Sequence, residues 1–376
     1  MPKGAIAGST RVRVYFTKSL LDGLDEAFKY VVGYPYGCWE QQTTGALFLT
    51  EYKEMEPWLA EFKFDAKKGD PRKAIQDYIN KAPDYQRPDG SMGYYPGDYA
   101  GDPYLTVFTG HAFGVYKKAG FTIPKIVEEK LRVRLLAMKD HTGDMGRFTD
   151  FKESMNANIA AILVDLNDPE GQKLASRIYP KRAKMDLFGQ GQLLKALPPQ
   201  GPEAKALVQE LLKKSIARDS VVVFTEKIPD SAKNWLYSER RGQCIVVDAL
   251  LRHGMNPAIA AKMIQGLAPD KRTARWGNTQ ENYFCFQAFR TYARLFESTE
   301  KEAEVAWVMG TDSRDIDVKR MQRPFVEYQE ADLKVHAKAR AELKSGGNAY
   351  LHTRMYWATN SADAVASGNG FTLKKT

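Results

Sequence analysis

The stretch Tyr34-Pro35-Tyr36-Gly37-Cys38-Trp39-Glu40-Gln41 places a cysteine three residues before a glutamine, directly after a Pro/Gly turn. An apolar helical pattern begins at once beyond it, so we predict that Cys38 stands at the head of a helix. Side chains three residues apart on a helix are neighbours. A thiol and a carboxamide held that close can condense, with loss of ammonia, to an internal thioester. The stretch therefore predicts a masked acylating group at Cys38 and Gln41, although a helix N-terminus could also hold this pair by chance.

Such a bond must be kept from water until it is used, because water would hydrolyse it. Tyr34, Tyr36 and Trp39 are the aromatic side chains nearest to the pair in the sequence. We expect these three rings to cover the bond. Glu40 lies inside the same stretch, and we expect its carboxylate to polarise the site or to accept a backbone hydrogen bond.

On both sides of this stretch, apolar residues recur with the period of a helix, from about residue 18 to about residue 297. Several of these segments are apolar on more than one side, which is typical of helices packed between other helices. Pairs of such helices could form a solenoid or a closed ring, and we find no regular short repeat. We predict helices at residues 20–31, 43–52, 72–82, 103–119, 124–139, 153–165, 185–196, 202–216, 238–253, 256–266 and 278–296.

The two ends of the chain have the alternating pattern of strands. Residues 11–16 predict one strand. Residues 333–343 and 349–358 alternate on either side of a Ser/Gly/Asn turn signal, so we predict that they form a hairpin. We therefore predict a small β domain, made from residues 1–16 and 298–376, with a helical domain at residues 17–297 inserted into it.

The composition is that of a globular protein, with 376 residues, 43% hydrophobic and 27% charged. No apolar run is long enough to span a bilayer, so we expect no membrane contact. The net charge of +9 is spread along the chain rather than clustered with aromatic residues, so we expect no nucleic-acid partner. The N-terminus lacks the apolar core of a signal peptide, and the tail alternates to its last residues, so we expect a piece of a longer protein.

Three cysteines cannot all pair within one chain. Cys244 and Cys285 each lie in an apolar helical pattern, and we expect both to be inert core residues. Cys38 alone stands in a reactive context. The sequence has no CxxC motif and no cluster of histidine and cysteine, so we expect neither a metal nor a cofactor.

The stretch at residues 34–41 resembles the thioester motif of the α2-macroglobulin and complement superfamily, and most closely that of the bacterial α2-macroglobulins. Gln86–Tyr95 and Asp102–Thr106 together resemble the DGGFGWW … SPYLTAY region of the family. Trp276–Asn282 resembles the segment that opens the last helix of the family's thioester domain. The resemblance covers roughly residues 17–297.

This resemblance implies a mainly α-helical fold, an α/α toroid of about six helix pairs, with a neighbouring CUB-like β domain. It also implies a single-use protease trap rather than an enzyme. Cleavage of a bait region elsewhere in the parent protein would expose the thioester to lysine amines, or hydroxyls, of the attacking protease. The implied partners are target proteases and the remaining domains of the parent protein. The implied location is the bacterial periplasm or the cell exterior.

Some complement relatives pass the acyl group to a histidine that directs it to hydroxyls. The nearest candidate here is His141, in the sequence Lys-Asp-His-Thr-Gly. If His141 plays no part, direct transfer to amines is expected. We expect His111 to be a core residue and His253 to contact a helix C-terminus, whereas His336 and His352 fall on predicted strands.

Helical toroids also carry glycoside hydrolases and prenyl transferases. Asp89, Asp98 and Asp102 lie near Tyr94 and Tyr95 and could line a sugar-binding mouth. A glycosidase needs two carboxylates that face each other across a cleft, and nothing in the sequence pairs two of these. A second alternative is a binding toroid whose cysteine at position 38 stays a free thiol.

Overall fold

The computed structural model describes residues 5–21, 24–59, 62–64, 69–140, 151–218, 221–227, 238–268, 275–297, 302–319, 322, 324–335 and 339–359. The chain divides into two compact units. The helical unit is Leu21–Phe296, and the β unit is Met1–Leu20 together with Glu297–Thr376. The prediction of a mainly helical chain is confirmed. None of the helices in the described ranges is long and apolar enough to cross a membrane.

The described part of the helical unit consists mainly of helices. Two short strands within it, β2 (Ile216–Arg218) and β3 (Val221–Val223), pair antiparallel with each other. Two 3-10 helices, Glu56–Trp58 and Tyr179–Lys184, follow α2 and α8. The elements are α1 Leu24–Val32, α2 Trp39–Met55, α3 Pro71–Ile79, α4 Ala82–Tyr85, α5 Pro103–Lys118, α6 Lys125–Asp140, α7 Lys152–Asp165, α8 Pro169–Ile178, α9 Leu187–Ala196, α10 Pro202–Lys214, β2 Ile216–Arg218, β3 Val221–Val223, α11 Glu239–Arg252, α12 Pro257–Gly266 and α13 Thr279–Phe296.

Six helices, which we call the central helices, contact one another in a cycle: α2, α5, α7, α9, α11, α13 and back to α2. Most of their residues are buried, as is typical of helices packed between other helices. Helices α1, α3, α6, α8, α10 and α12 each pack against one or two of them. An α/α toroid of six helix pairs stays a prediction, and this cyclic order of contacts supports it.

A disulfide joins two of the central helices. Cys244 of α11 and Cys285 of α13 are bonded, with their Cα atoms 4.7 Å apart. Both residues are fully buried. Both are core residues, as predicted, but they were not expected to be bonded to each other: the packing of α11 against α13 brings together residues that are 41 positions apart.

The β unit contains two three-stranded antiparallel sheets. One has the order β6-β1-β8, so the N-terminal strand lies in the middle of a sheet whose other strands come from the C-terminal region, as predicted. The second has the order β5-β4-β7. The elements are β1 Arg11–Thr17, β4 Ala303–Met309, β5 Asp312–Val318, β6 Phe325–Gln329, α14 Glu330–Val335, β7 Ala339–Ser345 and β8 Tyr350–Tyr356.

The core of the β unit lies between these two sheets. Val12, Val14 and Phe16 of β1 belong to the same buried cluster as Val305 and Trp307 of β4. The rings of Phe16 and Trp307 meet edge to face, with centroids 5.7 Å apart. The alternation that predicted a strand at residues 11–16 is therefore the alternation between this core and the outer face. A CUB-like sandwich stays a prediction.

The predicted hairpin of residues 333–343 and 349–358 is wrong. β7 pairs with β4, whereas β8 pairs with β1 in the other sheet. Glu330–Val335 is helical, so only the later part of the alternating segment forms a strand, which is β7. The Ser/Gly/Asn turn carries the chain from one sheet to the other, and Gly346, with φ of +91°, lies so close to the Glu302 carbonyl that no Cβ would fit.

Candidate functional site

Cys38 is the residue that caps the N-terminus of α2. Its backbone is extended, with φ of −70° and ψ of 159°, and the helix begins at the next residue. Its side chain accepts a hydrogen bond from the backbone N–H of Gln41. The Oε1 of Gln41 in turn accepts the backbone N–H of Cys38, at 3.4 Å. The spacing Cys-x-x-Gln therefore forms a capping box, with cysteine in the place of the usual serine or threonine.

This capping box brings a thiol and a carboxamide to the same point of the chain. Cys38 is 7% exposed, whereas Gln41 is partly exposed. The two side chains that the sequence predicts to react thus fold toward each other around the first turn of α2. The contact between them has an ordinary helix-capping geometry.

The thiol of Cys38 is free of any disulfide and is not activated as a thiolate. Burial raises its pKa, and the nearby carboxylate of Glu40 raises the pKa further, against the opposing hydrogen bond from the Gln41 backbone. A thiol of raised pKa is a weak nucleophile and a poor metal ligand at neutral pH. Among the described residues, no group of three or more histidine, cysteine or acidic side chains is placed to hold a metal.

Trp39 anchors the first turn of α2 to neighbouring parts of the helical unit. It is fully buried, and its ring lies 4.6 Å from that of Tyr78 and 4.5 Å from that of Tyr85, centroid to centroid. The indole N–H donates to the hydroxyl of Thr109 at 2.9 Å, and the backbone N–H donates to the carbonyl of Tyr94 at 2.8 Å. These contacts tie the start of α2 to α3, α4, α5 and the loop before α5.

The two tyrosines before Cys38 lie nearer the surface. The rings of Tyr30, Tyr34 and Tyr36 form a row, with successive centroids 5.2 Å and 5.6 Å apart. Tyr34 is partly buried, but Tyr36 is 68% exposed. Most of the Tyr36 ring is therefore in contact with solvent in this chain, and a cover over the bond by these rings stays a prediction.

Glu40 is buried at the boundary between the first and last central helices. Its carboxylate accepts hydrogen bonds from the Thr279 hydroxyl at 2.8 Å and from the Gln280 amide at 2.5 Å, both at the start of α13. It also accepts from the Thr44 hydroxyl at 3.1 Å. Burial raises the pKa of Glu40, and these three donors oppose the rise. The described donors to the carboxylate are side chains, and a role of Glu40 in polarising the site stays a prediction.

Two further side chains extend this contact, and the sequence analysis did not single them out. The Tyr104 hydroxyl, at the start of α5, donates to the Gln280 carbonyl oxygen. The fully buried Arg241, in the first turn of α11, donates to the Tyr104 hydroxyl at 2.8 Å. The first turns of α2, α13, α5 and α11 therefore meet at one end of the cycle. In the sequence, Tyr104 and Gln280 lie within the segments 102–106 and 276–282 that resemble the family, whereas nothing there marks Arg241.

The histidine predictions have separate outcomes. His141 lies outside the described residues, so a role as acyl carrier stays a prediction. His111 is a buried core residue, as expected: its Nε2 lies 2.8 Å from the Tyr283 hydroxyl, and burial lowers its pKa to about 3. It is therefore neutral at physiological pH.

The remaining histidines are remote from Cys38 in the sequence and make structural contacts where they are described. His253 is the C-cap residue of α11, and its Nε2 lies 3.2 Å from the Leu194 carbonyl. His352 of β8 lies 3.0 Å from the Thr17 hydroxyl of β1. His336 lies outside the described residues.

The three aspartates of the alternative sugar site serve local structure. The carboxylate of Asp89 accepts the hydroxyl of Ser91, and that of Asp98 accepts the backbone N–H of Tyr95 at 2.8 Å. Asp102 is the N-cap residue of α5. Turn and cap bonds occupy all three carboxylates, and they do not favour a glycosidase, which needs an acid and a base free to face a substrate.

No family model and no curated protein matches this chain. Solved structures do. The Escherichia coli α2-macroglobulin from domain MG7 to the C-terminus matches with a TM-score of 0.63 and 17% identity, over 97% of this chain and 55% of that one. The native E. coli protein seen by cryo-EM matches with a TM-score of 0.63 and 18% identity, over 96% and 22% of the two chains. The E. coli protein activated by porcine elastase matches with a TM-score of 0.67 and 16% identity, over 96% and 31%.

The similarity extends over nearly the whole of this chain, which spans only about half, or less, of the solved chains that it matches. At these identities the comparison concerns the fold. The chain has the fold of the C-terminal region of the bacterial α2-macroglobulins.

Proposed function

We propose that Cys38 and Gln41 form an internal thioester, and that this chain is the thioester-bearing part of a protease-trapping inhibitor. The observation that carries the proposal is the reciprocal capping box between the two residues, found in a chain with the fold of bacterial α2-macroglobulins. The capping box supplies proximity, and the fold supplies a class of protein in which such a bond would have a use.

The chemistry is an acyl transfer that each molecule performs once. In the forming step, the Cys38 sulfur attacks the side-chain carbonyl of Gln41, the thiol proton passes to the amide nitrogen, and ammonia leaves. In the using step, an amine attacks the same carbonyl, an amide bond forms, and the sulfur leaves with a proton as a free thiol. No step needs an oxidant or a cofactor.

The surroundings of Cys38 suit a bond that must stay intact until it is used. A thiol of raised pKa is a slow leaving group, and both burial and Glu40 raise the pKa of this one. The 7% exposure of Cys38 also limits access for water. A later rearrangement would then have to expose the bond before the lysine side chain of a protein, which is larger than water or methylamine, could reach it.

The partners follow from the neighbours as part of the proposal. The similar solved structures include E. coli α2-macroglobulin activated by trypsin and by porcine elastase, and Salmonella α2-macroglobulin reacted with methylamine. We infer that proteases are the targets here too, that the cleavage which triggers exposure occurs in other domains of the parent protein, and that lysine amines are the acceptors.

A location outside the cytoplasm, in the periplasm or beyond, belongs to the same proposal. The Cys244–Cys285 disulfide supports it, because disulfides persist in oxidising compartments and are rare in the cytosol. The bacterial source of the similar structures supports it as well.

The chemical state of residue 41 tests the proposal, because reaction with methylamine, reaction with water and no reaction each leave a different side chain there. The full chain is purified with or without methylamine present from lysis onward, and the peptide containing residue 41 is sequenced by mass spectrometry. We expect the methylamide with methylamine and glutamic acid without it, since water then opens the bond. The Cys38→Ala variant controls for slow deamidation and should keep glutamine.

Unmodified glutamine at position 41 in every wild-type sample, beside a Cys38 that alkylates at once, would instead identify a binding protein with a free thiol. Conversion of residue 41 at the same rate in the Cys38→Ala variant would show that the cysteine takes no part.

A further inference from the structure

We propose that Glu40 is a positioning residue for thioester formation: it fixes the first turn of α2 against the first turn of α13 and so holds Cys38 and Gln41 in reacting geometry. This inference rests on the proposed function. It assigns Glu40 a role through its neighbours rather than as an acid or base on the reacting atoms.

The hydrogen bonds of Glu40 point to this role. Its carboxylate is 4% exposed and accepts three donors, from Thr44 one turn further along α2 and from Thr279 and Gln280 of α13. The described partners of its carboxylate lie on these two helices. A carboxylate bound in this way is held in one place, and the residue next to it in the chain is Gln41.

The partners of Glu40 on α13 are distant from it along the chain. The bonds from Glu40 to Thr279 and Gln280 span 239 and 240 residues, from the second helix of the unit to the last. They exist only when α13 has packed against α2 and closed the cycle of central helices. We infer that the Cys38–Gln41 pair reaches its reacting geometry only after the helical unit has folded, so that an unfinished chain does not form the bond.

The side chains that bind Glu40 are themselves held by further hydrogen bonds. Gln280 is bonded to Tyr104, and Tyr104 is bonded to the buried Arg241. The side chains that hold Glu40 are therefore fixed by two more central helices. Hydrogen bonds to a charged, buried acceptor are stronger than neutral ones and are costly to lose.

The same helix provides a matched control. Glu51 of α2 is also buried, at 5% exposure, and also binds α13, through Gln287 and Arg290. It lies three turns beyond Glu40 and away from Cys38. Glu51→Gln therefore perturbs the contact between α2 and α13 without touching the first turn.

The experiment compares Glu40→Gln, Gln280→Ala and Glu51→Gln with the wild type. For each protein, the fraction of residue 41 that is converted in the presence of methylamine is measured by peptide mass spectrometry. That fraction is divided by the fraction of molecules that are folded without urea, which urea unfolding provides. Losing a hydrogen bond to a buried charge should slow conversion roughly tenfold or more in Glu40→Gln and Gln280→Ala. Glu51→Gln should leave conversion per folded molecule unchanged.

Conversion at the wild-type rate in Gln280→Ala, whose motif is intact, would overturn the inference even if Glu40→Gln did not fold. An equal loss in Glu51→Gln would also overturn it, by showing that any weakening of the α2–α13 contact suffices. A wild type that never converts residue 41 would sink the proposed function itself, which is a separate outcome.

Discussion

Removing the Cys244–Cys285 disulfide should destabilise the helical unit by about 4 kcal/mol. The bond joins residues 41 positions apart, and a cross-link across a loop of that length lowers the entropy of the unfolded chain by about 13 cal/mol/K. At room temperature this difference corresponds to about 4 kcal/mol. The double variant Cys244→Ala/Cys285→Ala removes the cross-link without leaving a polar group in the core.

Urea unfolding, followed by far-ultraviolet circular dichroism, measures this loss because the helical signal comes mainly from α1 to α13. With a urea dependence of about 3 kcal/mol per molar for a unit of this size, the midpoint should fall by roughly 1 to 2 M. Dithiothreitol should lower the wild-type midpoint to that of the variant and leave the variant unchanged. Equal midpoints of variant and wild type without reductant would refute the reasoning.

Two further predictions concern buried side chains. Burial raises the pKa of Glu51 to about 7 from an ordinary 4.5, so the native state binds its proton more tightly. The free energy of unfolding should therefore fall as pH rises from about 4.5 to about 7; Glu51→Gln should flatten this fall in urea titrations, and an unchanged pH profile would contradict it. Val14 is 3% exposed in the central strand β1, so Val14→Asp should cost more than about 3 kcal/mol by burying an unpaired charge. Limited proteolysis should then cut within residues 303–356 and spare 24–296, whereas equal protection of both would contradict it.

Local features of this chain could be predicted from its sequence, and the reason is physical. Helix positions follow from a 3.6-residue period, and the meeting of Cys38 with Gln41 follows from a spacing of three residues. Both depend only on neighbours in the chain. Trp39 was expected only to cover the bond, and its role as an anchor depends on contacts with distant residues.

What could not be predicted depends on contacts between distant segments. The pairing of Cys244 with Cys285 requires knowing that α11 and α13 are neighbours. The hairpin prediction failed because alternation shows that a segment is a strand but not which strand it joins. The partners of Glu40 lie 239 and 240 residues away, and no local pattern near Glu40 indicates them.

The disulfide has a consequence for the third cysteine. A chain that forms a disulfide folds in the presence of oxidant, and Cys38 is then a competing thiol that could join Cys244 or Cys285 wrongly, or link two molecules. Helix α13 carries both Cys285 and the partners of Glu40. Its docking therefore sets the correct disulfide and the geometry for acylating Cys38 in one event. In the proposed protein, the thioester is thus also a protecting group, which removes the last thiol from oxidation as soon as the fold is complete.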